Sequence, residues 1–462
     1  MRPLEAVDGV PREPIWRLQQ LAGNAAVSSL IGGFVQRQAG AAAVSGAPMP
    51  RPAAGPLGDG QVADAVRYYT VQPWRYTAEI VTQLRTALGL DAAGGVDAAL
   101  VQAVATWQQT EGANDPALTV DGKAGPRTLP RIFRHGLNEP GAGEAFGRSV
   151  QSGAIDEWAT LATPEARLRR LVELVNVSLG AHGVPAVTEG FDPNPTNDGS
   201  FDFPTWRMLV GRTPLAAEQL DAATAREIAQ TIYHEARHTE QWYRMAQLRA
   251  GQGLSAAGIA AELGIPARIA RQARAEPLTP GSMQGLIAQG WWDSVYGAGA
   301  EQRNATLEEI DHAAAAVRQA RRRFAAHPTS ANQAVLDQAR ARFDRAYAAY
   351  RNLPEENDAW ATEPAAGAGV TSGTPPAPVE QSGPDTAPGE GGPATLGPDT
   401  RLAVEPAVGA GGEAGSEASE GPGDGALLAA LVAAGAETDQ VAGPPPAAGR
   451  PSHEILPEVG ES

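Results

Sequence analysis

The stretch Thr231–Trp242 reads Thr-Ile-Tyr-His-Glu-Ala-Arg-His-Thr-Glu-Gln-Trp. Residues four apart share one face of an α-helix. In a helix, then, His234 and His238 stand side by side, their imidazoles able to share one Zn²⁺. Glu235 sits beside a ligand, where it can take a proton from a metal-bound water. The chain holds only seven histidines, so this spacing is seldom met by chance. The plainer alternative is a helix whose polar face merely carries the three side chains.

The elements around this stretch must position it. Thr224-x-x-Glu227 fits a capping box, with Asp221 as an earlier possible start. Ile228, Ile232, Ala236 and Met245 point to the core, and the two histidines fall on a neighbouring strip. Tyr233, Gln241 and Trp242 are expected to pack or to orient. Upstream, Leu168, Leu171, Val172, Val175 and Val177 give Pro164–Leu179 one apolar face. Phe201–Val210 alternates like a strand, and Pro204, which has no N–H, places it at a sheet edge. That edge would serve an extended substrate or lie under a loop. Downstream, Thr306-x-x-Glu309 and Ser330-x-x-Gln333 each start an amphipathic helix, and His327-Pro328 separates the two. The pair forms an antiparallel hairpin that carries the chain out and back. Its arginines (Arg318, Arg321, Arg322, Arg323, Arg340, Arg342, Arg345) fit a solvated face, or an anionic partner. His312 is expected to be an ordinary hairpin residue.

The wording Tyr-His-Glu-Ala-Arg-His-x-Glu-Gln-Trp resembles the zincin metallopeptidases. A catalytic zinc keeps three protein ligands and one open position, and in zincins of the Glu type the third ligand is a Glu on a later helix. Leu353–Trp360 resembles that motif and implies Glu356, with the adjacent Glu355 as the alternative register. Asp358 or Glu355 would then orient a histidine. Tyr347, Tyr350 and Arg237 are candidate oxyanion donors.

Composition narrows the classes. The chain has 462 residues, no cysteine and a formal charge of −17. Disulfides and thiolate metal sites are excluded. From Ala361 onward 15 acids face 2 Arg, so the remainder is close to balanced. A general nucleic-acid binder would be more basic. No apolar run reaches membrane-spanning length. Val27–Val35 is short, and Arg2, Arg12 and Arg17 are offset by Glu5, Asp8 and Glu13, so no clear signal peptide is expected.

Two further resemblances concern the first third. Leu18-Gln-Gln-Leu-Ala-Gly-Asn-Ala-Ala-Val27, followed by Val35-Gln-Arg37, resembles the leader of cargo proteins of extracellular contractile injection systems, with Gln20 in place of the usual Arg. That implies an effector made in the bacterial cytoplasm, loaded into a phage-tail-like particle, and released or delivered to a target cell. Asp121, Gly122, Gly125, Pro126 and Thr128, with Gln108 after Trp107, resemble the mark of the three-helix peptidoglycan-binding-like domain. These residues would form its ligand-binding motif, although Gly and Pro explain turns before they explain binding.

The expected fold class is α+β, mainly helical. A leader with a short amphipathic helix (1–38) and a linker (39–63) precede a peptidoglycan-binding-like domain (64–140). A zincin-like domain with a helical-hairpin insertion (141–361) follows, then a disordered acidic tail (362–462) in which Leu427–Val432 is the one apolar island. The expected function is a zinc-dependent peptidase acting on protein or cell-wall peptide. The rivals are a non-catalytic binding or cargo protein with a vestigial site, and a metal held only for folding.

Overall fold

The computed structural model describes residues 55–112, 118–193 and 198–371. The leader, most of the linker and the chain from 372 onward, with its apolar island, lie outside the described residues.

Three helices come first: α1 (Asp59–Thr70), α2 (Ala78–Ala87) and α3 (Ala98–Gly112). They bury Ile80, Val81, Leu84, Leu100, Val101 and Val104. The loop after α3 is organised by Gln108, which is 1% exposed. Its Nε2 donates to Asp121 Oδ1, Lys123 O and Thr128 Oγ1 at 3.0, 3.0 and 3.2 Å. Its Oε1 accepts from the N–H groups of Asp121 and Gly122 at 3.0 and 2.9 Å. Thr128 therefore serves Gln108 and not, as expected, the start of the next helix, α4 (Leu129–Ile132), which is a single turn. Gln108→Leu strands several of these partners in a dry site, each at roughly 1–3 kcal/mol. A loss of about 3–5 kcal/mol is the expected result in a denaturant melt.

The larger part begins with α5 (Ala142–Val150), which runs through a π-turn (Gln151–Ile155), and α6 (Pro164–Ala181). Thr163 caps α6, its hydroxyl accepting from Ala166 N–H. Leu168, Leu171, Val172 and Val175 are buried, whereas Val177, expected on the same face, is 73% exposed. A three-stranded sheet follows: β1 (Thr188–Phe191), β2 (Gly199–Asp202) and β3 (Arg207–Val210), in the order β1-β3-β2. β1 runs parallel and β2 antiparallel to β3. The single strand expected over Phe201–Val210 is therefore a hairpin. Pro204 cannot feed a ladder, and it falls in the turn, where Trp206 adopts φ 59°. β3 is central, so β1 and β2 are the edges, and β2 is the edge that passes the site helix.

After α7 (Arg212–Ala216), the thirty-residue α8 (Ala222–Gly251) crosses the protein. Asp221 is its N-cap, accepting from Thr224 N–H at 2.7 Å. Every residue from Ile232 to Tyr243 is buried, so its polar side chains must find partners inside. Three helices pack on it, α9 (Ala256–Leu263), α10 (Ala267–Ala275) and α11 (Met283–Val295).

The hairpin is α12 (Ala300–Ala326) and α13 (Ser330–Arg351), with its own core of Leu307, Ile310, Val317, Leu336, Phe343 and Tyr350. α12 starts before the expected cap. Thr306 lies inside it, its hydroxyl donating to Gln302 O, and Thr329, not Ser330, caps α13. His312 is exposed, and Arg342 grips Glu309 through two 2.7 Å bonds. The return delivers α14 (Pro354–Gly369) between α8 and α5. α14 continues past residue 361, where the tail was expected to begin, because Thr362, Ala366, Gly367 and Gly369 are buried. Gly147 of α5 lets it approach: a Cβ there would lie 2.1 Å from Ala366 O.

The fold is mainly helical, and one hydrophobic cluster runs from Ala65 to Val370, spanning both expected domains. Among the described residues no helix is long and apolar enough to cross a membrane.

Candidate metal centre

α8 and α14 bring three candidate ligands together. His234 Nε2 and His238 Nε2 are 3.0 Å apart. Glu356 Oε2 lies 3.7 Å from the first and 3.5 Å from the second. All three residues are buried. Tetrahedral bonds of about 2.0–2.1 Å place ligand atoms roughly 3.3–3.4 Å apart, so the triangle has the size of one face of such a site.

The donor chemistry fits as well. His238 Nδ1 lies 2.8 Å from Gln241 Oε1. Gln241 cannot present its NH₂ there, because Nε2 donates to Glu355 O and Asp358 Oδ2, both at 2.9 Å. His238 therefore carries its proton on Nδ1. Glu363 Oε1 lies 2.7 Å from His234 Nδ1, off the axis of an ideal hydrogen bond, and a carboxylate accepts only. Both imidazoles thus aim Nε2 lone pairs inward. They meet Glu356 Oε2, which has no hydrogen-bond partner among the described residues. Three acceptors converging in a dry pocket call for a cation. Burial pushes each histidine down, but Glu356, and at His234 also Glu363, outweigh it and raise both. Burial likewise pushes Glu356 up, and the two histidines more than reverse this.

Glu235 faces the same space at 3% exposure. Phe201 N–H of β2 donates to its carboxylate, while Oε2 has no partner among the described residues. Burial raises its pKa. β2 passes close by: a Cβ on Gly199 would lie 2.6 Å from Thr231 Cγ2 and 3.6 Å from Glu235 Cγ.

The other sequence candidates fall in several places. Glu355 points away from the imidazoles, to Arg303 Nε at 2.7 Å. Asp358 touches neither histidine. It accepts from Arg237 Nε at 2.8 Å and reaches His238 only through Gln241. Arg237 is held by Asp358 and Glu240, with its guanidinium over Trp291, so it is not an oxyanion donor. Tyr350 hydrogen-bonds the Glu356 carboxylate. Tyr347 packs against Tyr350 and Trp360. Tyr233 donates to Leu137 O, and Trp242 stacks on Phe203. Asp121, Gly122 and Thr128 are spent on Gln108, Gly122 also through φ +70°, and Pro126 packs near Gly290 of α11.

Sequence reasoning missed Glu363 and gave Gln241 no partner. Both had a signal: Glu363 is two helical turns beyond Glu356, on one face, and Gln241 is three residues beyond His238. Trp360 was also missed. Its ring meets His234 edge-on at 5.1 Å, and Arg351 lies over it.

Among known proteins, no family model, no curated protein and no solved structure matches the chain.

Proposed function

We propose that the chain is a zinc-dependent peptidase of zincin type. The observation that carries this is the His234–His238–Glu356 triangle with the unpartnered Glu235 Oε2 beside it. Two imidazole nitrogens and one carboxylate oxygen suit zinc, and three protein ligands leave a coordination position open. When bound, zinc supplies Lewis acidity and an activated water at neutral pH. Glu235 Oε2 accepts the proton that the attacking water loses, and the Phe201 N–H fixes the other carboxylate oxygen. Burial raises the Glu235 pKa toward the working range of a general base. Tyr350 holds Glu356 in place. The substrate is a protein or a cell-wall peptide. The leader resemblance over residues 18–37 supports a delivered effector. The first unit acts as a scaffold for the larger one, since Asp121, Gly122 and Thr128 are committed to Gln108 and Pro126 packs near Gly290 of α11.

One observation favours a second reading, a metal held for folding. His234, Glu235, His238 and Glu356 are all 2–5% exposed. Chelation separates the two. The peptidase reading expects cleavage of a peptide library or of purified peptidoglycan to stop with chelator and return with Zn²⁺. A lowered melting temperature on chelation, with nothing cut at any zinc level, assigns the metal to folding.

A further inference from the structure

His135, Gly136, Leu137 and Asn138 close the first unit in sequence, yet each of them meets a residue of α8 or α14. Leu137 N–H donates to Glu240 Oε2 at 2.9 Å. Leu137 O accepts from Tyr233 Oη at 2.6 Å, and His135 O from Arg237 Nη1 at 3.1 Å. Asn138 Nδ2 donates to Asp358 Oδ1 at 3.2 Å. Gly136 has φ +63°, and a Cβ on it would lie 1.8 Å from Glu240 Oε1. The Glu240 carboxylate thus occupies space that only a glycine leaves.

From this segment a chain of buried polar groups runs to a metal ligand. Arg237 joins Glu240 at 2.5 Å to Asp358 at 2.8 Å. Asp358 Oδ2 also accepts from Gln241 Nε2, and Gln241 Oε1 accepts from His238 Nδ1–H. Gln241 Nε2 has two acceptors, Asp358 Oδ2 and Glu355 O, so if Asp358 moves or becomes Asn only the backbone carbonyl still holds the amide in its orientation. A flipped amide presents NH₂ to His238 Nδ1, which moves the ring proton to Nε2 and removes the lone pair a metal needs.

We infer that residues 135–138 form a strap that positions His238 through Arg237, Asp358 and Gln241, making the first unit a working part of the metal centre. This rests on reading the His–His–Glu cluster as a metal site. The strap residues are positioning residues; none faces the substrate.

The test uses the full chain. Zinc affinity is measured by chelator competition, and the visible spectrum is recorded after Co²⁺ loading. The variants are Asp358→Asn, Gln241→Leu and Gly136→Ala. Each is expected to bind zinc about 10–100-fold more weakly, the usual cost of losing a group that orients a ligand, and to alter the cobalt bands. Asp358→Asn keeps the side-chain shape and so covers the case in which Gly136→Ala does not fold. Arg167→Met is the control: it removes a buried side chain whose hydrogen bonds go to Leu215 O, Ala217 O and Trp158 O, none of them in the strap or in the chain of groups that leads to His238. It should lower the melting temperature and leave zinc affinity and cobalt bands as in wild type. Asp358→Asn and Gln241→Leu proteins with wild-type affinity and wild-type bands would overturn the inference. A wild-type chain that takes up neither metal would instead remove the metal reading beneath it.

Discussion

Replacing Glu235 with Gln is expected to leave zinc bound and to slow hydrolysis by about 10²–10⁴-fold, the range for loss of a positioned general base. Glu235 is not one of the three clustered donors, so the metal should stay. Gln keeps the side-chain size and can still accept from Phe201 N–H, but it has no basic oxygen for the proton. Burial and the unpartnered Oε2 mark this carboxylate as held in reserve for a proton. The check is a paired measurement of metal content and turnover on one substrate. Equal turnover in both proteins would end the proposed role of Glu235.

Glu356→Ala is expected to weaken zinc binding by about a hundredfold or more. Structural zinc sites bind with apparent energies of about 10–16 kcal/mol over four ligands, roughly 3 kcal/mol for each, and 1.4 kcal/mol is about tenfold. The neighbouring Glu355 offers no substitute, because it faces Arg303 at 2.7 Å and is itself 0% exposed. Glu355→Ala should therefore keep its zinc while losing about 3–5 kcal/mol of stability, since it leaves the Arg303 charge buried alone. The two adjacent variants thus part along two axes, metal affinity by chelator competition and stability by denaturant melt. If Glu355→Ala lost the zinc and Glu356→Ala kept it, the register would be the reverse.

The half of the centre on α8 was legible because both histidines lie on one helix, at a spacing that a local rule decodes. Glu356 was harder. It arrives after a hairpin of two long helices, and only a resemblance pointed to it. Adjacent glutamates differ by about 100° around a helix, and only packing shows that Glu356 faces the imidazoles while Glu355 faces Arg303. Glu363 was lost for a compositional reason. Gly, Ala and Pro364 make residues 362–369 look like the tail, yet small residues are what let α14 lie against Gly143 and Gly147 of α5. The Phe201–Val210 alternation fitted a strand, but Pro204 marked a turn instead of an edge. The strap at 135–138 has no sequence signal beyond Gly136, since its work is done by backbone groups.

The most direct measurement is the metal content of the purified full chain after incubation with Zn²⁺ and gel filtration. About one zinc per chain is expected, the number that a single His–His–Glu site holds. A chain that elutes without zinc at neutral pH, even after reconstitution, would contradict it.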